Sequence, residues 1–189
     1  MNQTVVNSKT NLKTTDLVMT GMFTAIICVM AIITIPTQPI PFTLSLFAIF
    51  LTGALLTPRN AFLAVVAYLL IGTCGVPVFA GLKSGPQVLT GMTGGYLMAY
   101  PIMALITALF YKYFKKHRII SLALGMTVAL IACYLVGTLW FSYVSGNSFY
   151  KSLFLCVVPY VLFDFLKIIL AISIGLIIRK TVYKPLGIL

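Results

Sequence analysis

Six apolar runs follow one another along this chain: Leu17–Ile35, Phe42–Leu56, Ala61–Phe79, Val88–Phe110, Ile119–Phe141 and Leu153–Ile178. A hydrocarbon layer of about 30 Å is crossed by roughly 20 apolar residues in a helix. Within lipid a single segment satisfies its backbone polar groups only as a helix. The runs therefore predict an all-α integral membrane protein with six transmembrane helices. The second run has 15 residues and is bounded by the turn signals "PIP" and "TPRN", which predicts a short or tilted helix packed against its neighbours. The composition is 61% hydrophobic and 8% charged, and no polar stretch beyond residue 16 is long enough to fold alone. The expected organisation is a polar N-terminal segment, 1–16, a membrane domain, 17–180, and a short tail, 181–189. The first run exceeds a signal-peptide core and carries no cleavage signature, so it is expected to stay as a span. No internal repeat supports an inverted-repeat transporter.

Thirteen Lys and Arg against two acidic residues give a net charge of +11, but the basic residues lie between the apolar runs rather than on one soluble face. That pattern argues against nucleic acid as a partner and reads as topology. Lys9, Lys13, Arg59, Lys112, Lys115, Lys116, Arg118, Arg179, Lys180 and Lys184 fall on one side; Lys83 and Lys151 fall on the other. Both termini are thus expected to be cytoplasmic, with 36–41, 80–87 and 142–152 outside and the cytoplasmic membrane as the location. Trp140, Phe141, Tyr143, Phe149 and Tyr150 suit an outer aromatic belt. Asp16 and Asp164 are the whole acidic complement, which leaves no local carboxylate pair for catalysis. Cys28, Cys74, Cys133 and Cys156 stand singly in apolar sequence and read as small buried hydrophobes. His117 sits in a basic loop, and no metal or cofactor site is expected.

Asp164 and Lys167 are the exceptions within the last run. Three residues apart, they share a helix face. Counted from Leu153 along one helix they lie about 17 and 21 Å deep, near the middle of the membrane. A charge there costs about 2.5–3.5 kcal/mol, so both should face a packed interior or a wet cavity. A self-neutralising structural pair and a polar ligand site both satisfy that requirement. A second candidate is "GLKSGPQVLTGMTGGYLMAYP", 81–101, with Gln87, Thr90, Gly94, Gly95 and Tyr96. Glycines at an outward-facing helix N-terminus let backbone N–H groups reach a carboxylate, although they also serve simple helix packing. No Gly-Lys-Ser/Thr closes the segment, so it is not an ATP-binding loop. The proline-stiffened "IPTQPIPFTLS", with Thr43, is either a lid or a plain turn. Gly21 and Ala25, with Ala31 beyond them, form a small-residue surface for another helix of this chain or of a partner.

The stretch from Pro36 to Pro101, with its "PIPFTL", "GVPVFAG" and "TGGYL" in that order, together with "DFLK" in the last run, resembles the BioY family. The similarity extends over about 17–180. Met92 stands where the family commonly has proline, and Ser45 where it often has glutamine. The resemblance implies an S-component bundle that is not an enzyme. It implies capture of biotin outside and docking on an energy-coupling factor (ECF) module of a transmembrane coupling protein and two ATP-binding subunits. Gly21 and Ala25 match the family's docking motif, and toppling in the membrane is expected to release the vitamin inside. Asp164 and Lys167 match the ureido ring, and the Thr90–Tyr96 turn matches the carboxylate; in a reversed pose Lys167 takes the carboxylate. A stand-alone biotin carrier and a ligand-free membrane scaffold are the alternatives.

Overall fold

The computed structural model describes residues 8–114 and 116–183, with side chains from Thr14 onward. The basic residues counted above at 9, 13, 115 and 184 therefore fall outside the described side chains. Helix α1 runs Ser8–Ile32, so helix begins inside the segment read as a polar leader. A two-residue hairpin pair, β1 Thr34–Ile35 and β2 Phe42–Thr43, closes the first connection, with Thr34 opposite Thr43. Then come α2 Ser45–Leu55, α3 Pro58–Thr73, α4 Gln87–Thr90, α5 Gly94–Tyr113, α6 Arg118–Ser145, α7 Phe149–Cys156 and α8 Val161–Ile178. A π-helical turn, Arg179–Tyr183, follows.

Among the described residues four helical stretches are long and apolar enough to cross a bilayer: Thr14–Ile32, Gly94–Tyr113, Arg118–Ser145 and Val161–Tyr183. α2 and α3 are shorter. The 11 residues of α2 span about 16 Å, and their burial from Ala48 to Leu55 explains how so short a segment holds its place. The chain turns sharply after it because Thr57 caps α3, accepting from the Asn60 N–H at 3.4 Å, with Pro58 just inside.

Three of the apolar runs break where the pattern of hydrophobicity shows nothing. The third stops at Thr73 rather than Phe79, because Gly75 takes a left-handed backbone, φ 107°, and Pro77 follows. The fourth divides at Gly91–Thr93 into α4 and α5. The last divides between α7 and α8 at Val157–Tyr160, where Pro159 has no N–H to give. This corrects the single continuous helix from which Asp164 was counted: it lies in the first turn of a new helix.

α5 lies at the centre, packed on α6, α3 and α2, while α2 also meets α8 and α1. The α5–α6 contact is close because glycines face large side chains across it: Gly95 meets Trp140, Gly125 meets Phe110 and Gly137 meets Tyr96. Outward faces carry exposed Leu124, Ile131, Leu135, Ile169 and Ile177, as lipid contact requires. Of the expected aromatic belt, Tyr143 and Tyr150 are exposed, whereas Phe141 is buried in the core. Cys133 and Cys156 are buried as expected; Cys74, at the open end of α3, is exposed.

Candidate functional site

A cavity of about 420 Å³ opens where the breaks of the third, fourth and sixth runs meet the β1–β2 connection. Its size falls in the range of small-molecule sites. Each interruption supplies part of the wall. Pro39–Thr43 come from the first connection, Phe79, Ala80 and Lys83 from the segment after α3, and Gln87–Val88 and Gly91–Thr93 from the α4–α5 turn. Cys156 and Tyr160 come from the α7–α8 break. Tyr68, Tyr96, Leu97, Tyr100, Cys133 and Tyr134 complete a lining that is mostly aromatic and aliphatic.

Asp164 and Lys167 line this cavity, although each is at most 5% exposed. Lys167 Nζ donates to Asp164 Oδ1 at 2.8 Å. The Tyr134 hydroxyl of α6 donates to Oδ2 at 2.6 Å. The ammonium also sits 3.9 Å from the centre of the Phe42 ring, a cation–π contact on a desolvated face. Both carboxylate oxygens thus have one donor each and keep a lone pair for a ligand. Phe42 is in turn held by Phe163, edge-on at 5.4 Å, and lies parallel to Tyr160 at 6.5 Å. The Tyr160 hydroxyl donates its one proton to the Ile40 carbonyl at 2.6 Å, with Thr37 Oγ1 at 3.1 Å beside it, which ties the first connection across the mouth. That connection is a tight hairpin turn and at the same time part of the cavity wall.

Thr43, Gln87 and Tyr96 join the pair in the same lining. Thr43 Oγ1 and Ser45 Oγ lie 2.5 Å apart, and Ser45 Oγ is 3.3 Å from the Tyr100 hydroxyl, a small relay of hydroxyls on the wall. Gln87 folds back to donate to the Ser84 carbonyl at 2.6 Å. Thr90, Gly94 and Gly95 do not reach the cavity. The Gly94 N–H is spent on the Gly91 carbonyl at 3.0 Å, Thr90 Oγ1 donates to the Gln87 carbonyl at 3.2 Å, and Gly95 packs on Trp140. The structure therefore does not bring these three, expected at a carboxylate, to the cavity: they shape the turn, and Gly91, Met92 and Thr93 line the wall instead. The same end of the cavity carries Lys83, a side-chain cation counted above only as a loop charge. Gly21 and Ala25 lie exposed on α1, and a Cβ on Gly21 would meet nothing within 4 Å; Ala31 is buried and lines the cavity.

Tyr134, Phe42 and Lys83 are site residues that the sequence does not point to. No local spacing links them to Asp164, although "CYLVGTLW" does place an isolated tyrosine in an otherwise apolar span. Tyr134→Phe keeps the ring and removes one donor from the carboxylate. The expected result is ligand binding weakened about tenfold, with a modestly lowered melting temperature because Asp164 Oδ2 loses its one donor. Equal affinity would show that Asp164 needs no orienting partner.

The model of the BioY family matches residues 3–184. "Biotin transporter BioY" of Thermotoga maritima is 37% identical over 165 residues, covering 87% of this chain and 96% of that protein. "Probable biotin transporter BioY" of Pyrococcus horikoshii is 33% identical, covering 87% and 96%. Among solved structures, the S-component for biotin from an ECF-type ABC transporter superposes with a TM-score of 0.84 at 27% identity, covering 92% of this chain and 95% of that one. With nearly its whole length matched in this way, the chain belongs to the BioY family.

Proposed function

We propose that this chain is the substrate-binding membrane subunit of an ECF transporter, capturing biotin outside and delivering it across the membrane when docked on a coupling protein and two ATP-binding subunits. It is a transport subunit and not an enzyme. The observation that carries the reading is the Asp164–Lys167–Tyr134 group, held inside an aromatic cavity of ligand size. A ureido ring offers two N–H donors and one carbonyl acceptor. Asp164 accepts and Lys167 donates, while Phe42, Tyr68 and Tyr96 cover the fused rings. The valeryl carboxylate then points to Lys83 and Gln87 at the mouth, in place of the glycine turn.

Six crossing segments with both termini inside suit this role. Lys112, Arg118 and Arg179 gather at the end of the bundle opposite the cavity, which supports that reading of the positive-inside count. Gly21 and Ala25 offer the coupling protein a flat exposed surface.

The test is a titration of the purified protein with biotin, followed by heat release or by Trp140 emission. The Trp140 indole donates to the Gly91 carbonyl at 2.9 Å and so reports on the cavity wall. Saturable binding is expected, and its absence in the wild-type protein would leave the scaffold alternative. Uptake of biotin by cells lacking the coupling ATPases would instead favour a stand-alone carrier.

A further inference from the structure

A second cavity, of about 320 Å³, lies at the basic end of the bundle. Two guanidinium groups approach the Tyr111 ring, Arg179 at 3.9 Å and Arg118 at 4.4 Å from its centre. Both are fixed by carbonyls at helix ends. Arg179 donates to Ala54 at 2.7 Å and to Leu55 at 3.3 Å, and Arg118 donates to Tyr111 at 2.9 Å. Those bonds set orientation and leave each guanidinium with further N–H groups. They do not neutralise it. Among the described residues neither arginine has a carboxylate within 4.0 Å. Lys112 adds a third cation to the lining, against the single, exposed carboxylate of Asp16.

The Tyr183 hydroxyl supplies an independent sign of a ligand. Tyr183 is 4% exposed and lines this cavity, yet its hydroxyl has no hydrogen-bond partner among the described residues. A buried hydroxyl left unpaired is costly and uncommon. Two pre-oriented guanidiniums, an ammonium and an unpaired hydroxyl are together a set of donors suited to a tetrahedral oxyanion.

We propose that this cavity binds a phosphate group, presented by the headgroup of an anionic phospholipid. The cavity lies where α2 and α5 end, α6 begins and the π-helical turn leaves α8, the level at which a bundle meets the headgroups. Leu17, Val18, Ile119 and Ile120 are exposed on the neighbouring ends of α1 and α6 and give acyl chains an apolar surface. A free phosphate would use the same donors but not that surface. Basic pockets between helix ends hold anionic headgroups on the negatively charged inner leaflet.

The experiment uses the full chain in detergent, with dioleoylphosphatidylglycerol, dioleoylphosphatidylcholine and inorganic phosphate added separately and binding read by native mass spectrometry. Phosphatidylglycerol is expected to bind about tenfold tighter than phosphatidylcholine. Tyr183→Phe and Arg118→Gln should each remove about tenfold of that affinity. Biotin binding should not move in either variant. In lipid-free detergent Tyr183→Phe should melt no lower than wild type, because it deletes an unpaired hydroxyl; this separates loss of ligand from loss of fold. Equal binding of the two lipids, or wild-type affinity in both variants, overturns the site. Inorganic phosphate binding as tightly as phosphatidylglycerol overturns the lipid source.

Discussion

Asp164→Asn is expected to weaken biotin binding at least about 100-fold, close to 3 kcal/mol. A charged acceptor disappears while the donors it served stay buried. The amide also leaves Lys167 without its counter-charge at 5% exposure. For a fully buried pair that loss destabilises by about 3–5 kcal/mol, a ceiling here because the pair borders an open cavity. Stability and recognition can be separated. Asp164→Asn with Lys167→Met removes both charges and should recover the melting temperature of the wild type, leaving binding absent. Wild-type affinity in either variant would refute the acceptor role. A single variant that neither binds nor folds, paired with a folded double variant that still does not bind, supports it.

Gly94→Ala is expected to cost about 3 kcal/mol or more, because a methyl there runs into the Leu89 carbonyl, a backbone atom that cannot swing aside. The α4–α5 turn must move, and with it Gly91–Thr93 of the cavity wall. Thermal unfolding should fall by several degrees and biotin binding should weaken in parallel. Gly21→Ala is the control, since its methyl enters open space on α1 and should leave thermal unfolding unchanged. If the two alanines behave alike, the tight turn is not what positions the wall.

The contrast between these glycines shows where sequence reasoning reached and where it stopped. The membrane class followed from run length, and the Asp164–Lys167 pairing from a spacing of three. Both are local properties. The breaks at Gly75 and Pro159 lie inside long apolar runs, where Gly75–Pro77 and Pro159 are the only local signals; at Gly91–Thr93 the glycine-rich sequence leaves the start of the helix open between Val88 and Gly94. "TGGYL" drew attention as an anion turn, but glycine serves close packing and close ligand approach equally well, and only the neighbours decide between them. Tyr134 lies 30 residues from Asp164 and Phe42 lies 122 from it, so no window along the chain joins them. Arg179 entered the count as a tail charge. Its place on the Ala54 and Leu55 carbonyls depends on how α8 lies against α2, a relation that charge counting does not contain.

The interruption at Val157–Tyr160 has a consequence for how such a pocket can be retuned. A continuous helix would rotate every later side chain by about 100° for each residue inserted before it. Here α7 ends at Cys156 and α8 starts afresh at Val161, so insertions or deletions around Gly146–Ser148 are absorbed before the floor begins. The mouth, covered by the first connection and the Lys83 segment, and the floor, built on α8, come from separate stretches of chain. An engineer, or selection, can alter the segments at the mouth without turning Asp164 and Lys167 on α8.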